Sequence, residues 1–524
     1  MNTANENILS FIKKGFLLDK DSLEFFSKLD DLKVAEEILN KILLITKARV
    51  ISKKVLNENF STIKSSLQHF EKEKQEIITD FFSVGKQTVP KELTIEVKDT
   101  SRLSAGVYHP EIKILSSNII PHKRIEVKDF VTHFKNRYNF FKEILRQRKE
   151  LDNLISVNKI GNTRNFSLIG LVSSKRVTKN KNIILEVEDL TGKVNILIGV
   201  DKENIVKKAK EVLNDDVIGI KCSGGRELIY ANDIIFPESF VLEKRKTEEE
   251  VYAVFISDIH VGSKLFLEEK FARFIKWLRG EEEDEKMREK IKKIKYLFVC
   301  GDNVDGIGVY PGQEGLLAIK DVKEQYKKLA EYFKMIPSYI NIVMCPGQHD
   351  AVRVPEPQPA IDEDFAKDLK EMKNVFLVSN PALIEIETIG TKRGVKVLMY
   401  HGASMLRGWI DEIEDLRVGK AHLNPTKVVK YMLRHRHLSP THSGNVYVPS
   451  EKEDMMIIKE VPDIVVTGDL HKSDVDIYNN ILLITGSCWQ STTPFEEKVG
   501  NQPDPAKVPL LNLKTREIKI LDFN

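Results

Sequence analysis

Five short apolar runs in the second half of the chain each end in side chains that can bind a metal or move a proton. Asp258 and His260 follow VYAVFIS, and Gly301, Asp302, Asn303 and Asp305 follow KYLFVC. Gly347, Gln348, His349 and Asp350 follow YINIVMC, His401 follows VKVLMY, and Gly468, Asp469 and His471 follow DIVVT. A lone histidine is most simply a surface or core residue, and that reading serves His69, His109, His122, His133, His422, His435, His437 and His442. Five loops that independently supply carboxylate, imidazole or amide groups call for a metal-dependent site instead.

The elements that must position these loops are strands and helices in alternation. The apolar runs are nearly continuous, as in sheet strands covered on both faces. KFARFIKWLRG, DVKEQYKKLAEYFKMI and AIDEDFAKDLKEMKN carry helical periodicity between them. Residues 250–524 therefore read as a layered α/β sandwich whose carboxyl edge carries the site. The charge run Glu281–Lys295 reads as a solvated helix face.

Upstream, residues 125–245 combine an aromatic-rich helix (Phe130, Phe134, Tyr138, Phe141, Ile144, Leu145) with short strands, a Thr191-Gly192 turn and one inserted helix, ENIVKKAKEVL. This order predicts an OB-fold. Such barrels serve both as docking modules and as single-strand binders, and Tyr230 is one of few candidate stacking aromatics. Residues 1–50 show helical stripes (Ile8, Phe11, Ile12; Val34, Ile38, Ile42, Leu43) and read as a small helical module, with residues 51–124 as a linker.

A net charge of +3 excludes a polycation, so any nucleic-acid contact has to come from local patches or a partner chain. Cys222, Cys300, Cys345 and Cys488 form no CxxC pair, which argues against a zinc ribbon or a disulfide framework. No signal-peptide core and no long uncharged apolar stretch occurs. The expectation is a cytoplasmic, nucleoid-associated protein without membrane contact.

The strings DIH, GDNVD, GQHD, YHG and GDLH resemble the signature of calcineurin-like metallophosphoesterases. The resemblance implies a first metal held by Asp258, His260, Asp302 and His471. Asp302 would bridge to a second metal completed by Gln348, His401 and Asp469. His349 would handle the leaving group, with Asp305 and Asp350 orienting it. Two such cations, about 3.5–4 Å apart, would share a water, lower its pKa and neutralise the phosphate during in-line attack. The ligand types suit Mn²⁺ best, with Mg²⁺, iron and zinc as alternatives. Two positions depart from the family pattern: Gln348 stands for Asn, and Asp469 for the first His of G-H-x-H. Both belong to the second metal.

An OB-like domain ahead of such a phosphoesterase resembles the small (B) subunits of replicative DNA polymerases. SDIHVGS, GDNVDGIGVYPGQ, PGQHDAVR, RHLSP and GSCWQSTTPFE are similar to strings of the archaeal family-D group. That resemblance implies a 3′-to-5′ exonuclease acting on single-stranded or primer-template DNA, paired with a large catalytic polymerase subunit. The alternatives are a non-catalytic assembly subunit, and a stand-alone repair nuclease or phosphatase. Gln75, Ile78, Phe81 and Phe82 fit the Q-x-x-[ILM]-x-x-[FY]-[FY] pattern of sliding-clamp ligands, in which one short helical turn gathers the apolar side chains into a plug. The alternative is an amphipathic helix burying the same residues. Arg353, Arg434 and Arg436 are candidate phosphate contacts near the site.

Overall fold

The structure is a computed structural model. It describes Leu17–Leu18, Val50–Ile51, residues 112–116 and residues 124–524 apart from 162–164, 226, 282, 388–392, 443, 445 and 451. The clamp-like residues Gln75, Ile78, Phe81 and Phe82 lie outside the described residues, as does most of the expected N-terminal helical module. Of that module, β1 (Leu17–Leu18) and β2 (Val50–Ile51) are described, and they pair in parallel.

One feature departs from the expected linker. Ile112–Ser116 forms β3, which pairs antiparallel with a strand far along the chain. Its run of isoleucines around a lysine suits a strand, but pairing at that sequence distance is invisible to a local pattern. After it comes α1 (Val127–Leu145), the aromatic-rich helix.

The chain divides into two compact units. The first contains residues 138–206 and 217–237. There β4 (Asn165–Val177), β5 (Ile183–Asp189), β6 (Gly192–Ile198), β7 (Val217–Gly225) and β8 (Leu228–Ile235) close a barrel in the order β4-β5-β6-β8-β7. A helix, α2 (Glu203–Glu211), separates β6 from β7 in sequence. The β5–β6 turn follows from its residues: Asp189 Oδ1 accepts from Thr191 N at 2.7 Å and from Gly192 N at 3.1 Å, an Asx-type turn. Leu185, Val187, Ile196, Ile198 and Ile220 are fully buried at alternate strand positions. Gly170 lets β4 close against β5, because a Cβ there would lie 2.2 Å from Val187 Cγ1.

The second unit contains, among the described residues, 112–116, 124–137, 207–216 and 238–524. Its chain order is β9 (Tyr252–Ile256), α3 (Glu268–Leu278), α4 (Glu285–Ile291), β10 (Ile294–Cys300), α5 (Val322–Lys334), β11 (Asn341–Cys345), α6 (Glu363–Lys370), β12 (Val375–Leu377), β13 (Ala382–Ile386) and β14 (Val395–Met399). Then follow α7 (Glu414–Val418), α8 (Thr426–His435), β15 (Ile464–Thr467), β16 (Asp474–Tyr478), β17 (Ile481–Thr485), α9 (Pro494–Val499), β18 (Lys507–Asn512) and β19 (Ile518–Asp522). These strands form two six-stranded sheets, ordered β12-β11-β10-β9-β18-β19 and β16-β17-β15-β14-β13-β3.

The two sheets face each other across one apolar layer containing Phe255, Phe298, Ile384, Val397 and Ile484. Phe255 and Phe298 stack there at 5.3 Å, and each buried ring contributes roughly 1.5–3 kcal/mol. The first sheet's outer face is covered by Phe271, Phe274, Tyr326 and Phe333 of α3 and α5, and the second's by Trp409, Val428 and Met432. Side chains on both faces explain why the strands are continuously apolar. Among the described residues no helix is long and apolar enough to cross a membrane.

Candidate metal centre

β9, β10 and β11 of one sheet run parallel, as do β14 and β15 of the other, so their carboxyl ends meet at one edge of the sandwich. The loops beyond those ends must reverse sharply to aim short side chains inward. Asp258, His260, Asp302, Asp469 and His471 all have positive φ, between 47° and 66°. A non-glycine residue held there costs about 1–3 kcal/mol, which the surrounding fold must offset. Gly301 and Gly347 complete the cradle: a Cβ at Gly301 would lie 2.2 Å from His401 Nδ1, and one at Gly347 2.2 Å from Asp302 Oδ1.

The structure brings together all seven residues expected to hold metal. His471 Nε2 lies 3.4 Å from Asp258 Oδ1 and 3.2 Å from His260 Nε2. His260 Nε2 is 4.0 Å from Asp302 Oδ2. On the other side of Asp302, His401 Nε2 is 3.3 Å from the same oxygen, 4.0 Å from Asp258 Oδ1 and 3.9 Å from Asp469 Oδ1. Gln348 Nε2 donates to Asp469 Oδ1. Asp302 thus stands between two ligand groups, Asp258–His260–His471 and His401–Asp469–Gln348.

The donor set fits cations. Gln348 Oε1 and His401 Nε2 are buried without a hydrogen-bond partner, although buried polar atoms are almost always paired. Asp258–His260–His471, Asp258–Asp302–His401 and His260–Asp302–His349 each place three ligand atoms within 4.8 Å of one another. Electrostatics agree. Burial favours neutral Asp302, yet His401, His349 and His260 hold its carboxyl far below the usual carboxylate range. Burial likewise opposes charge on His401, and Asp302, Asp258 and Asp469 outweigh it and raise the imidazole well above its ordinary value. Concentrated negative charge of this kind is what a divalent ion neutralises.

Neighbouring groups fix the ligands' orientation. His401 Nδ1 donates to Cys300 O at 2.8 Å, leaving Nε2 for the centre. His260 Nδ1 sits 3.1 Å from Asp305 Oδ1, and His471 Nδ1 2.8 Å from Glu496 Oε1. Glu496 also closes the capping box of α9, its Oε2 accepting from Thr493 N at 2.8 Å. Glu496 belongs to none of the ligand motifs, although T-x-x-E in TTPFE marks that cap. Gln490 lies outside those motifs as well. Its Nε2 donates to Asp305 Oδ1 at 3.2 Å and to Ser263 Oγ at 2.7 Å.

Of the residues expected to move protons, His349 stands at the mouth with Nε2 3.9 Å from Asp302 Oδ2. Its Nδ1 bonds to the backbone oxygen of Asp305 at 2.8 Å, while the Asp305 carboxylate serves His260. Asp350 does not orient His349 as expected. Its Oδ2 accepts from Gly347 N, Asn303 N and Asn303 Nδ2 at 2.9–3.1 Å, and its Oδ1 accepts from Tyr326 Oη at 2.7 Å. It ties the Asp302 loop to the Gln348 loop.

The expected DNA-contacting arginines have protein partners. Arg353 donates twice to Pro357 O, Arg436 to Ile458 O and Lys459 O, and Arg434 pairs with Glu211 Oε2 at 2.8 Å. Three histidines outside the centre serve the core. His133 and His437 pair with buried Asp454 beside Arg137, and His435 pairs with Asp216.

Residues 253–475, which include every ligand above, match the family of small (B) subunits of DNA polymerases alpha and epsilon. The chain is 38% identical over 407 residues to the DNA polymerase II small subunit of Pyrococcus furiosus, a match that covers 76% of this chain and 64% of that protein's length. It is 37% identical over 382 residues to the small subunit of Archaeoglobus fulgidus, covering 73% and 74% of the two chains. With the small subunit of Methanothermobacter thermautotrophicus it shares 32% identity over 534 residues, 99% of this chain and all of that one. Matches of this identity and extent, running through the strand-end ligands, show that the chain belongs to the family of archaeal DNA polymerase II small subunits.

Proposed function

We propose that this chain is the small subunit of a heteromeric replicative polymerase, that it scaffolds a large catalytic subunit, and that it hydrolyses phosphodiesters from DNA 3′ ends with two divalent metals. The observation that carries the hydrolytic reading is the placement of Asp302 between two ligand groups, with His401 Nε2 3.3 Å from its Oδ2 and the buried Gln348 Oε1 lacking a hydrogen-bond partner. Asp258, His260, Asp302 and His471 would hold one cation, and Asp302, Gln348, His401 and Asp469 the other, with Mn²⁺ suiting the donors best. Bound there, the cations would lower the pKa of a water and neutralise the scissile phosphate. A bond forms from the water oxygen to phosphorus as the bond from phosphorus to the 3′-oxygen of the penultimate nucleoside breaks. His349, with Nδ1 committed to the Asp305 carbonyl, carries on Nε2 the proton that the departing 3′-oxygen needs. The terminal nucleotide leaves as a 5′-phosphate. The barrel's strand order, with a helix between its third and fourth strands, supports the OB reading of the first unit.

The test is degradation of 3′-mismatched single-stranded DNA with Mn²⁺, comparing wild type with His349→Ala and Asp302→Ala. His349→Ala should lose at least about 100-fold, in the range of a removed general acid, and Asp302→Ala, which removes the carboxylate common to both cation sites, at least as much. Equal activity in all three rejects the reading. One observation favours a second reading, an assembly subunit with an attenuated site: Gln348 and Asp469, the two departures from the family pattern, hydrogen-bond each other. That reading predicts no metal-dependent cleavage, but loss of the large subunit's solubility or polymerase activity without this chain.

A further inference from the structure

The loop that follows β10 runs along the mouth of the centre and carries a tyrosine that the hydrolytic scheme leaves unused. Within it, Gly306 packs on the His349 backbone, where a Cβ would lie 2.1 Å from His349 O. Gly306, Gly308 and Gly312 all have φ between 68° and 83°, which turns the segment back on itself. Two buried glutamines hold it in place. Gln325 Oε1 accepts from Gly306 N at 2.8 Å and its Nε2 donates to Gly306 O at 3.0 Å. Gln313 Oε1 accepts from Val309 N at 2.9 Å and its Nε2 donates to Asp305 O at 2.7 Å. The loop is therefore fixed by hydrogen bonds, yet what it presents is apolar and open. Ile307 is 46% exposed, Tyr310 is half-buried, and space within 4 Å of a Cβ at Gly308 is empty.

The Tyr310 ring lies 6.2 Å from that of His349 at an angle of 60°, an edge contact that does not stack the two rings face to face. Burial raises its phenol pKa, with Asp305 and Glu496 adding to the effect, so the ring borders the same acidic centre. A flat, rigidly held aromatic beside the residue that protonates a leaving oxygen is suited to stack on the nucleobase attached to that leaving group.

We propose that Tyr310, on the loop Gly306–Gly312, is a positioning residue that stacks against the base of the penultimate nucleoside, whose 3′-oxygen His349 protonates. The inference rests on the hydrolytic reading above and deepens it: the site would select ends with an unpaired, base-bearing penultimate nucleotide. Stacking adds ground-state binding, so it should appear in KM and leave kcat nearly unchanged.

The experiment uses the full chain with Mn²⁺ and single-stranded oligonucleotides that carry a normal or an abasic (tetrahydrofuran) residue at the penultimate position. Wild type should show a KM about tenfold higher for the abasic substrate. Tyr310→Ala should raise KM about tenfold on the normal substrate and leave the abasic one unchanged, while Tyr310→Phe behaves as wild type. Wild-type discrimination by Tyr310→Ala overturns the proposal. A second arm measures binding with Ca²⁺ replacing Mn²⁺ and 2-aminopurine at the penultimate position. Quenching that is lost in Tyr310→Ala and kept in Tyr310→Phe supports stacking even if no hydrolysis occurs, in which case only the hydrolytic reading falls. Equal quenching in wild type and Tyr310→Ala overturns the stacking itself.

Discussion

Replacing Glu496 by Gln should weaken Mn²⁺ binding at the Asp258–His260–Asp302–His471 group while sparing the helix that carries residue 496. Glu496 Oε1 meets His471 Nδ1 at 2.8 Å, with both residues buried. A buried hydrogen bond to a charged group contributes about 1.5–3 kcal/mol and a neutral one about 0.5–1.5. Gln keeps an acceptor for the Nδ1 proton but loses the charge, a deficit of about 1–1.5 kcal/mol, or roughly tenfold in affinity. This is the lower end of the 10–100-fold range typical of residues that orient metal ligands. Gln also serves at the third position of a capping box, so α9 remains capped by Thr493. The loss should depend on pH. Without metal, burial opposes the charge on His471, but Cys488 and Asp258 hold its pKa well above the usual value. Below that raised pKa the proton competes with Mn²⁺, so affinity rises with pH in both proteins. Glu496 stabilises the proton as well as the metal, so the gap between wild type and variant should widen as pH rises. Equilibrium dialysis with Mn²⁺ at pH 6, 7 and 8 measures this. Equal affinities at pH 8, within twofold, would refute the idea that Glu496 acts through His471.

Asp454→Ala should lower stability by about 3–5 kcal/mol at neutral pH, because it strands the buried guanidinium of Arg137, whose Nε donates to Asp454 at 2.6 Å; an unchanged urea midpoint would argue against this. Acidification should act on the same cluster. Burial brings His133 down to about 4, so the unfolded chain takes up its proton first, and roughly 3 kcal/mol is lost as pH falls from 6.5 to 4. Asp454 adds a separate loss at lower pH. Burial opposes its charge, but Arg137, His437 and His133 hold its carboxyl well below the usual range, so its contribution is present above the unfolded pKa and disappears as pH falls through the folded one. Urea titrations at pH 7, 5.5 and 4.5 that give one midpoint would contradict the loss assigned to His133. For the clamp-like segment, Phe81→Ala and Phe82→Ala should each weaken binding to a sliding clamp by about 2 kcal/mol in calorimetry, and unchanged affinity would remove that reading.

Much of the candidate metal centre is legible because its candidate ligands follow buried strands directly. A strand buried on both faces writes itself as an unbroken apolar run, and the polar residues just beyond it are conspicuous. Asp258, His260, Asp302 and His401 were recognisable on that ground alone. Asp350 was misassigned because adjacency in sequence was taken for adjacency in space. After the turn at Gly347 its side chain points back to Asn303, away from His349. Arg353 and Arg436 resemble phosphate contacts for the same reason, since a local pattern cannot show that backbone carbonyls, one at Arg353 and two at Arg436, already occupy the guanidinium. Glu496 lies beyond the last recognised motif and reaches His471 only through the position of α9.

By itself the sequence determined the alternation of strands and helices, the Thr191-Gly192 turn, the succession of candidate ligand loops and the family that those loops resemble. These are properties of periodicity and of residue types at short range. The tertiary structure alone decided that the strands divide into two facing sheets, and that β3, from the expected linker, joins the second. It also held five ligand residues at positive φ to aim them at one point. Pairing across hundreds of residues and strain at a loop carry no local signal, because both exist only when the rest of the fold supplies the burial and the hydrogen bonds that offset their cost.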